Sequence, residues 1–144
     1  MWSDTLLAAE RGHLIRLAIW GATCAMIGTA LVVAITLRRI AAPIITHFAI
    51  QTLAWGSVNL VLAAVAWRAL AMRDVSAATR LDRVAWLSAG LDVGLVGIGL
   101  TLASAGWMLG RRLSVIGAGL GVIVQGLGLL ILHLTFISVL ARLV

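Results

Sequence analysis

The sequence has few of the residues that most catalytic and metal sites require. Of its 144 residues, five are acidic and one is a cysteine, and all eleven of its basic residues are arginine. A single cysteine excludes an intrachain disulfide framework and a multi-thiolate metal site, so Cys24 is interpreted as a small packing residue. No HExxH segment, nucleophile elbow, phosphate-binding loop or pair of carboxylates is present, so we expect no enzymatic activity and no metal. The sequence does not indicate any cofactor.

What the sequence has instead is apolar residues. Hydrophobic residues make up 62% of the chain and charged residues 11%, whereas a soluble domain is about 45–50% apolar. The formal charge of +6 comes from arginines grouped at the ends of apolar segments. That placement is typical of topology signals and lipid headgroup contacts, so we expect the lipid bilayer as a partner and no nucleic acid.

The apolar segments predict an all-α integral membrane bundle. Four transmembrane helices, arranged as two hairpins, are expected at about residues 17–37, 43–67, 84–109 and 114–141, in one domain covering residues 1–144. The first apolar segment alone contains 21 uncharged residues between Arg16 and Arg38, which span about 31 Å as a helix, close to the hydrocarbon thickness. Pro43 suits the first turn of the second helix. Residues 1–16 are expected to form a short N-terminal interfacial helix.

The distribution of arginines predicts the orientation of the chain. Four helices place both termini on one side, and that side carries more arginines than the other, which favours cytoplasmic termini in a bacterial inner membrane. The seven arginines on the termini side are Arg11, Arg16, Arg68, Arg73, Arg80, Arg83 and Arg142, against Arg38, Arg39, Arg111 and Arg112 opposite.

Small residues recur at helical spacing and predict close helix packing. Lipid gives no hydrophobic drive for helix association, so glycine and serine faces mark the contacts. Gly90 and Gly94 in the third helix, and Gly117 and Gly121 in the fourth, are the predicted packing positions. The third helix carries two such faces, which predicts neighbours on two sides.

Asp92 is the one acid inside a long apolar run, and a carboxylate at that depth costs about 2.5–3.5 kcal/mol on insertion scales. Counted from the nearest arginine on the termini side, Asp92, Asn59 and His133 each lie nine positions into their helices. Nine positions correspond to about 13–14 Å of rise, so these three side chains could share one layer. Gln51 and Gln125 form a second candidate layer nearer the middle. Either the five are interhelical hydrogen-bond partners that fix register, or they form a proton-titratable or ligand-binding site.

Three segments resemble the recurring motifs of a family of small, uncharacterised four-helix bacterial membrane proteins. They are LAWGSVN at 53–59, SAGLDVGLVGIG at 88–99 and GAGLGVIVQGLGLLILH at 117–133. The residues that carry the resemblance are Trp55, Gly56, Asn59, Asp92, Gly94, Gln125 and Gly126. The resemblance implies the four-helix membrane fold and supplies no activity.

Two functions of different classes fit these features. The first is a non-enzymatic scaffold or accessory subunit that docks onto a larger membrane complex or forms a homo-oligomer. The small-residue faces and the short loops favour this function. The alternative is a small transporter, channel or ligand binder that uses the polar residues around Asp92.

Overall fold

The chain folds into four long α-helices and no β-strand over the residues that the structure, a computed structural model, describes, which are 2–143. The helices are α1 Trp2–Arg38, α2 Pro43–Arg68, α3 Val75–Met108 and α4 Leu113–Leu140. Each is long and apolar enough to cross a membrane. The prediction of an all-α, four-helix membrane bundle is therefore confirmed.

The loops between the helices are short and their geometry follows from their residues. Pro43 occupies the first turn of α2, where its missing N–H leaves no hydrogen bond unmade. One tight turn joins α1 to α2 and another joins α3 to α4. Each turn has one arginine in the left-handed region, Arg39 at φ 51° and Arg111 at φ 55°. Gly110 precedes Arg111 with φ 80°, a conformation that glycine adopts without strain.

The N-terminal segment is a continuation of α1 and not a separate interfacial helix. One buried face runs along it without interruption, because Leu6, Glu10, His13 and Leu17 follow at intervals of three or four residues. Leu6 packs in a buried cluster with residues of α3 and α4, among them Phe136 and Leu140. This burial holds the first turns of α1 against the bundle. The prediction of a separate amphipathic helix on the membrane surface is therefore wrong.

The helices are not packed evenly around the bundle. Helix α4 lies at the centre and contacts α1, α2 and α3, while α1 packs against α2. Within the described residues no Cα atom of α2 comes within 8 Å of α3. A gap is therefore left between α2 and α3, with α4 and α1 behind it.

Glycines set the distances at which the packed helices cross. A Cβ on Gly56 would lie 2.5 Å from the backbone nitrogen of Ala25, and a Cβ on Gly99 would lie 2.8 Å from the carbonyl oxygen of Gly119. Gly117 leaves similarly little room beside the carbonyl of Ile44, and Gly121 lies against the side chain of Gln51. These backbones approach closely because no side chain separates them.

Gly90 and Gly94 do not pack as predicted. No atom lies within 4 Å of the position that a Cβ would take on either residue, and the same holds for Gly97. The reason is that the small-residue face of α3 that packs against α4 is the other one, which includes Gly99 and Gly106. Among the residues that the structure describes, none packs against the face with Gly90, Gly94 and Gly97 at these Cβ positions.

Candidate functional site

The gap between α2 and α3 is a cleft of about 650 Å³ to which all four helices contribute. Its lining is mostly apolar, with Leu14 and Leu17 from α1 and Leu129 from α4 at its base. Leu62 on α2 and Leu91 on α3 line its edges and are 54% and 62% exposed, so the cleft opens sideways, where lipid surrounds a membrane protein. We call this space the α2–α3 cleft.

Asp92 and His133 are hydrogen-bonded to each other in the wall of this cleft. The distance from His133 Nδ1 to Asp92 Oδ2 is 2.6 Å, and Asp92 is 4% exposed. An ionised carboxylate can only accept, so when Asp92 is ionised Nδ1 carries the proton and donates it to Oδ2. The sequence placed the two residues at one depth, and the structure brings them into direct contact.

His13 of α1 lies beside this pair. Its ring stacks on Phe136 with centroids 4.4 Å apart and approaches the ring of His133 at 5.3 Å. The residue is 6% exposed and its Nδ1 is buried without a hydrogen-bond partner. The α2–α3 cleft therefore has two imidazoles and the Asp92 carboxylate together in one part of its wall.

Glu10 and Arg73 form a two-point ion pair at the termini-side end of the cleft. Arg73 Nε donates to Glu10 Oε2 at 2.9 Å and Nη2 donates to Oε1 at 2.5 Å. The hydrogen bonds to Glu10 raise the pKa of the Arg73 guanidinium above its ordinary value. Both carboxylate oxygens of Glu10 are thus engaged, and the negative charge of Glu10 is balanced by an adjacent positive charge.

Gln125 joins three helices behind the cleft. Its Oε1 accepts from Trp20 Nε1 at 3.2 Å and from Asn59 Nδ2 at 3.4 Å, and the residue is fully buried. Two donors on one side fix the orientation of the amide, since Nε2 in that position would face them both. Gln125 Nε2 is buried without a partner on the other side.

The two predicted polar layers are only partly realised. Asn59 lines the cleft, but its hydrogen bond goes to Gln125 and not to Asp92 or His133. Gln51 does not meet Gln125, because Gln51 packs against Gly121, one helical turn away on α4. The observed groups are therefore Asp92 with His133 and His13, and Gln125 with Asn59 and Trp20.

Sequence reasoning missed Glu10, His13, Trp20 and Trp55 as residues of this region. Both Glu10 and His13 lie in the segment for which the sequence predicts an interfacial helix. The signal that would have found them is the spacing of Leu6, Glu10, His13 and Leu17, which continues the buried face of α1 past the arginines. No group of three His, Cys, Asp or Glu residues suited to holding a metal occurs in the described part of the chain.

The comparisons with known proteins identify a family but no activity. A family model described as a family of unknown function, DUF6992, matches residues 16–134. This range contains Asn59, Asp92, Gln125 and His133, and it begins after Glu10 and His13. No curated protein and no solved structure matches the chain. The match covers most of the sequence, and the chain belongs to this family of unknown function.

Proposed function

We propose that this protein is a non-enzymatic membrane protein that binds a lipid-soluble small molecule in the α2–α3 cleft. The observation that carries the proposal is a membrane-facing cleft of about 650 Å³ with the Asp92–His133 pair in its wall. Small-molecule sites are typically about 300–1,000 Å³, largely apolar, and equipped with a few placed polar groups. The volume and lining of the α2–α3 cleft fit that description.

The position of the polar groups supports binding over simple helix packing. A hydrogen bond that only fixed helix register would not need an open space beside it. Asp92, His133, His13 and Asn59 all line the cleft, so a molecule that entered from the bilayer would reach each of them. Inserting an ionisable side chain at this depth costs free energy, so such residues are rare in membrane helices and usually have a function.

The proposed location is the inner membrane of a bacterium, with cytoplasmic termini. Seven arginines on the termini side against four opposite support this orientation. The Glu10–Arg73 end of the cleft then lies toward the cytoplasm and Trp55 lies deeper in the membrane. A ligand would enter sideways from the bilayer with its polar group toward Asp92.

A labelling experiment tests the proposal. The protein in phosphatidylcholine nanodiscs is irradiated with a fatty alcohol that carries a diazirine, and the labelled residues are mapped by mass spectrometry. We expect labels on residues lining the α2–α3 cleft and a several-fold decrease in Gly94→Leu, because Gly94 lines the cleft and its added side chain has free space to enter.

Gly97→Leu is the matched control for this experiment. Gly97 has the same open surroundings on the same helix but does not line the cleft. Its labelling should equal that of the wild type. Labels distributed over the outer helix surfaces, with no difference between the two variants, would contradict ligand binding in the cleft.

A second candidate function is assembly, as a scaffold or accessory subunit, through the open face of α3. No atom of residues 2–143 lies within 4 Å of the Cβ positions of Gly90, Gly94 and Gly97. A Gly-xxx-Gly face of this kind lets a second helix approach closely. A second copy of this chain is the partner such a face suits best, because one face can pair with itself about a two-fold axis. Native mass spectrometry of the wild type and of Gly90→Leu tests this, with a dimer expected only in the wild type. A monomer in both would rule it out.

A further inference from the structure

We propose that the α2–α3 cleft takes a lipid-soluble cation, such as a hydrophobic amine, and that a proton bound by the Asp92–His133 pair competes with that cation. This inference rests on the proposed ligand-binding function and names the chemical class of the ligand. It follows from an inventory of the hydrogen-bonding groups and charges around the cleft.

The cleft has acceptors that no donor satisfies. Asp92 uses Oδ2 for His133, and Asn59 uses its Nδ2 to donate to Gln125. Their remaining oxygens, Asp92 Oδ1 and Asn59 Oδ1, accept no hydrogen bond from the described residues, and neither is sealed from the cleft. A ligand that brings N–H donors or a positive charge would satisfy both oxygens.

His133 adds a third acceptor when it is neutral. Since its Nδ1 carries the proton that is donated to Asp92, the lone pair of a neutral ring is on Nε2. No described residue donates to that nitrogen, and it is not fully buried. With neutral histidines the cleft therefore presents acceptors from Asp92, Asn59 and His133.

The charges facing the Asp92–His133 pair leave one negative charge unbalanced. Helix α1 contributes His13 and Glu10, α3 contributes Asp92, and α4 contributes His133. Helix α2 contributes only the uncharged Asn59 and Trp55.

The negative charge of Glu10 is balanced by Arg73 of the α2–α3 loop. Arg16, one turn beyond His13, is exposed and does not line the cleft. Asp92 is therefore the charge that a bound cation would meet.

The apolar part of the lining suits an organic cation better than an inorganic one. Leucine is the most frequent residue of the lining, and the indole of Trp55 lines its deeper end. Aromatic rings attract cations, most strongly where water is excluded.

A proton removes the feature that attracts the cation. If the pair binds one more proton, either His133 becomes a cation that neutralises Asp92 or the carboxylate itself is neutral, and in both cases the net charge of the pair is zero. Protonation of His13 would add a positive charge 5.3 Å from His133. The bound cation and the proton therefore exclude each other, and binding of the cation should release one proton.

The test uses radiolabelled tetraphenylphosphonium, a permanent lipid-soluble cation, and the protein in phosphatidylcholine nanodiscs. We expect saturable binding at pH about 8 and a Kd that rises about tenfold per pH unit once the solution is acidic enough for the pair to bind its proton, as competition with one proton requires. In weak buffer, at a pH where the Kd changes about tenfold per pH unit, an indicator dye should report release of about one proton per cation bound. Binding of equal affinity from pH about 5 to about 8 would overturn the proposal without any variant.

Substitutions test whether the pH-dependent binding of tetraphenylphosphonium depends on Asp92 and His133. Asp92→Asn should lose binding at every pH, and His133→Arg should do the same because its permanent charge imitates the protonated pair. Asp82→Asn is the matched control, since Asp82 is another carboxylate of α3 that does not line the cleft, and it should bind as the wild type does. Wild-type affinity in Asp92→Asn or in a folded His133→Arg would overturn the proposal.

The neutral diazirine alcohol separates the two proposals. Cleft labelling by the alcohol, without binding of tetraphenylphosphonium, would overturn the cation and keep the ligand-binding function. Absence of both signals from the cleft would overturn both. Labelling by the alcohol that is lost when tetraphenylphosphonium is added is the outcome expected if both proposals hold.

Discussion

The indole of Trp20 occupies the space that Gly128 leaves open, and from there Trp20 Nε1 donates to Gln125 Oε1 at 3.2 Å. A Cβ on Gly128 would overlap the six-membered part of the indole ring. One glycine of α4 thus allows a side chain of α1 to reach a polar group that is fully buried between the helices.

The substitution Gly128→Ala is therefore expected to destabilise the protein. The added methyl group must displace the Trp20 ring and lengthen its hydrogen bond, and overpacking of this kind costs about 1–3 kcal/mol. Thermal unfolding in detergent measures the effect. Gly94→Ala is the matched control, because nothing lies within 4 Å of its Cβ position, and it should unfold at the wild-type temperature or slightly above. Equal midpoints for both variants would contradict the packing described here.

Replacement of Gln125 by methionine should have a smaller effect than its full burial suggests. The substitution removes one acceptor from Trp20 and Asn59, and interhelical hydrogen bonds average about 0.6 kcal/mol each. It also removes Nε2, which is buried without a partner, and this gain offsets part of the loss. Thermal unfolding should give a net destabilisation of about 1 kcal/mol or less. A loss several times larger would mean that a water molecule or ligand group binds Nε2.

The Glu10–Arg73 pair should hold the first turns of α1 to the loop before α3. Glu10→Gln removes the charge that balances Arg73, but the Arg73 side chain is 24% exposed and can recover part of its hydration. We expect a destabilisation of about 1 kcal/mol. The exchanged double variant, Glu10→Arg with Arg73→Glu, should recover part of that loss in the same unfolding assay. No recovery would indicate that the pair contributes through its local packing and not its charge.

Asp74 should give the start of α3 a dependence on pH. Its carboxylate accepts from the backbone N–H of Ala77 at 2.7 Å and from the hydroxyl of Ser76, which lowers the pKa of Asp74 from its ordinary value of 3.8. Because the folded-state pKa is the lower one, the stabilising contribution is complete above the unfolded value. It is lost as the pH falls through the folded-state pKa.

Hydrogen exchange at the amide of Ala77 measures this contribution. Exchange relative to the intrinsic rate should accelerate as the solution is acidified below the ordinary pKa of aspartate. In Asp74→Ala it should be fast throughout the range. Asp82→Ala, within the same helix, should behave as the wild type does at this amide. A pH-independent protection factor in the wild type would show that the cap does not depend on the charge of Asp74.

The four helices could be predicted from the sequence because apolar length is a one-dimensional property. Runs such as residues 17–37 are long enough to span a bilayer whatever their neighbours are. The depth of Asp92 and His133 was also predictable, since each can be counted from the nearest arginine along a rigid helix. Their contact at 2.6 Å is a consequence of that shared depth and of the pairing of α3 with α4.

The order in which the helices pack around the bundle could not be predicted from the sequence. Small-residue faces occur on all four helices, and sequence alone does not tell which two faces meet. Gly94 and Gly99 are both glycines of α3, yet one borders the cleft and the other is pressed against Gly119. The α2–α3 cleft exists because α3 packs against α4 with the face that contains Gly99. The presence of the cleft therefore depends on which of the two glycine faces of α3 makes that contact.

The burial of the first turns of α1 also has a consequence for the order in which the protein is completed during synthesis. Leu6 and His13 pack against Phe136, and the indole of Trp2 donates to the carbonyl of Leu143 at 2.7 Å. The first turns of α1 thus find their partners among residues made more than a hundred positions later. Until α4 has entered the membrane, His13 has neither Phe136 nor His133 beside it, and the base of the cleft is incomplete. The Asp92–His133 site therefore forms only after α4 has packed against α3.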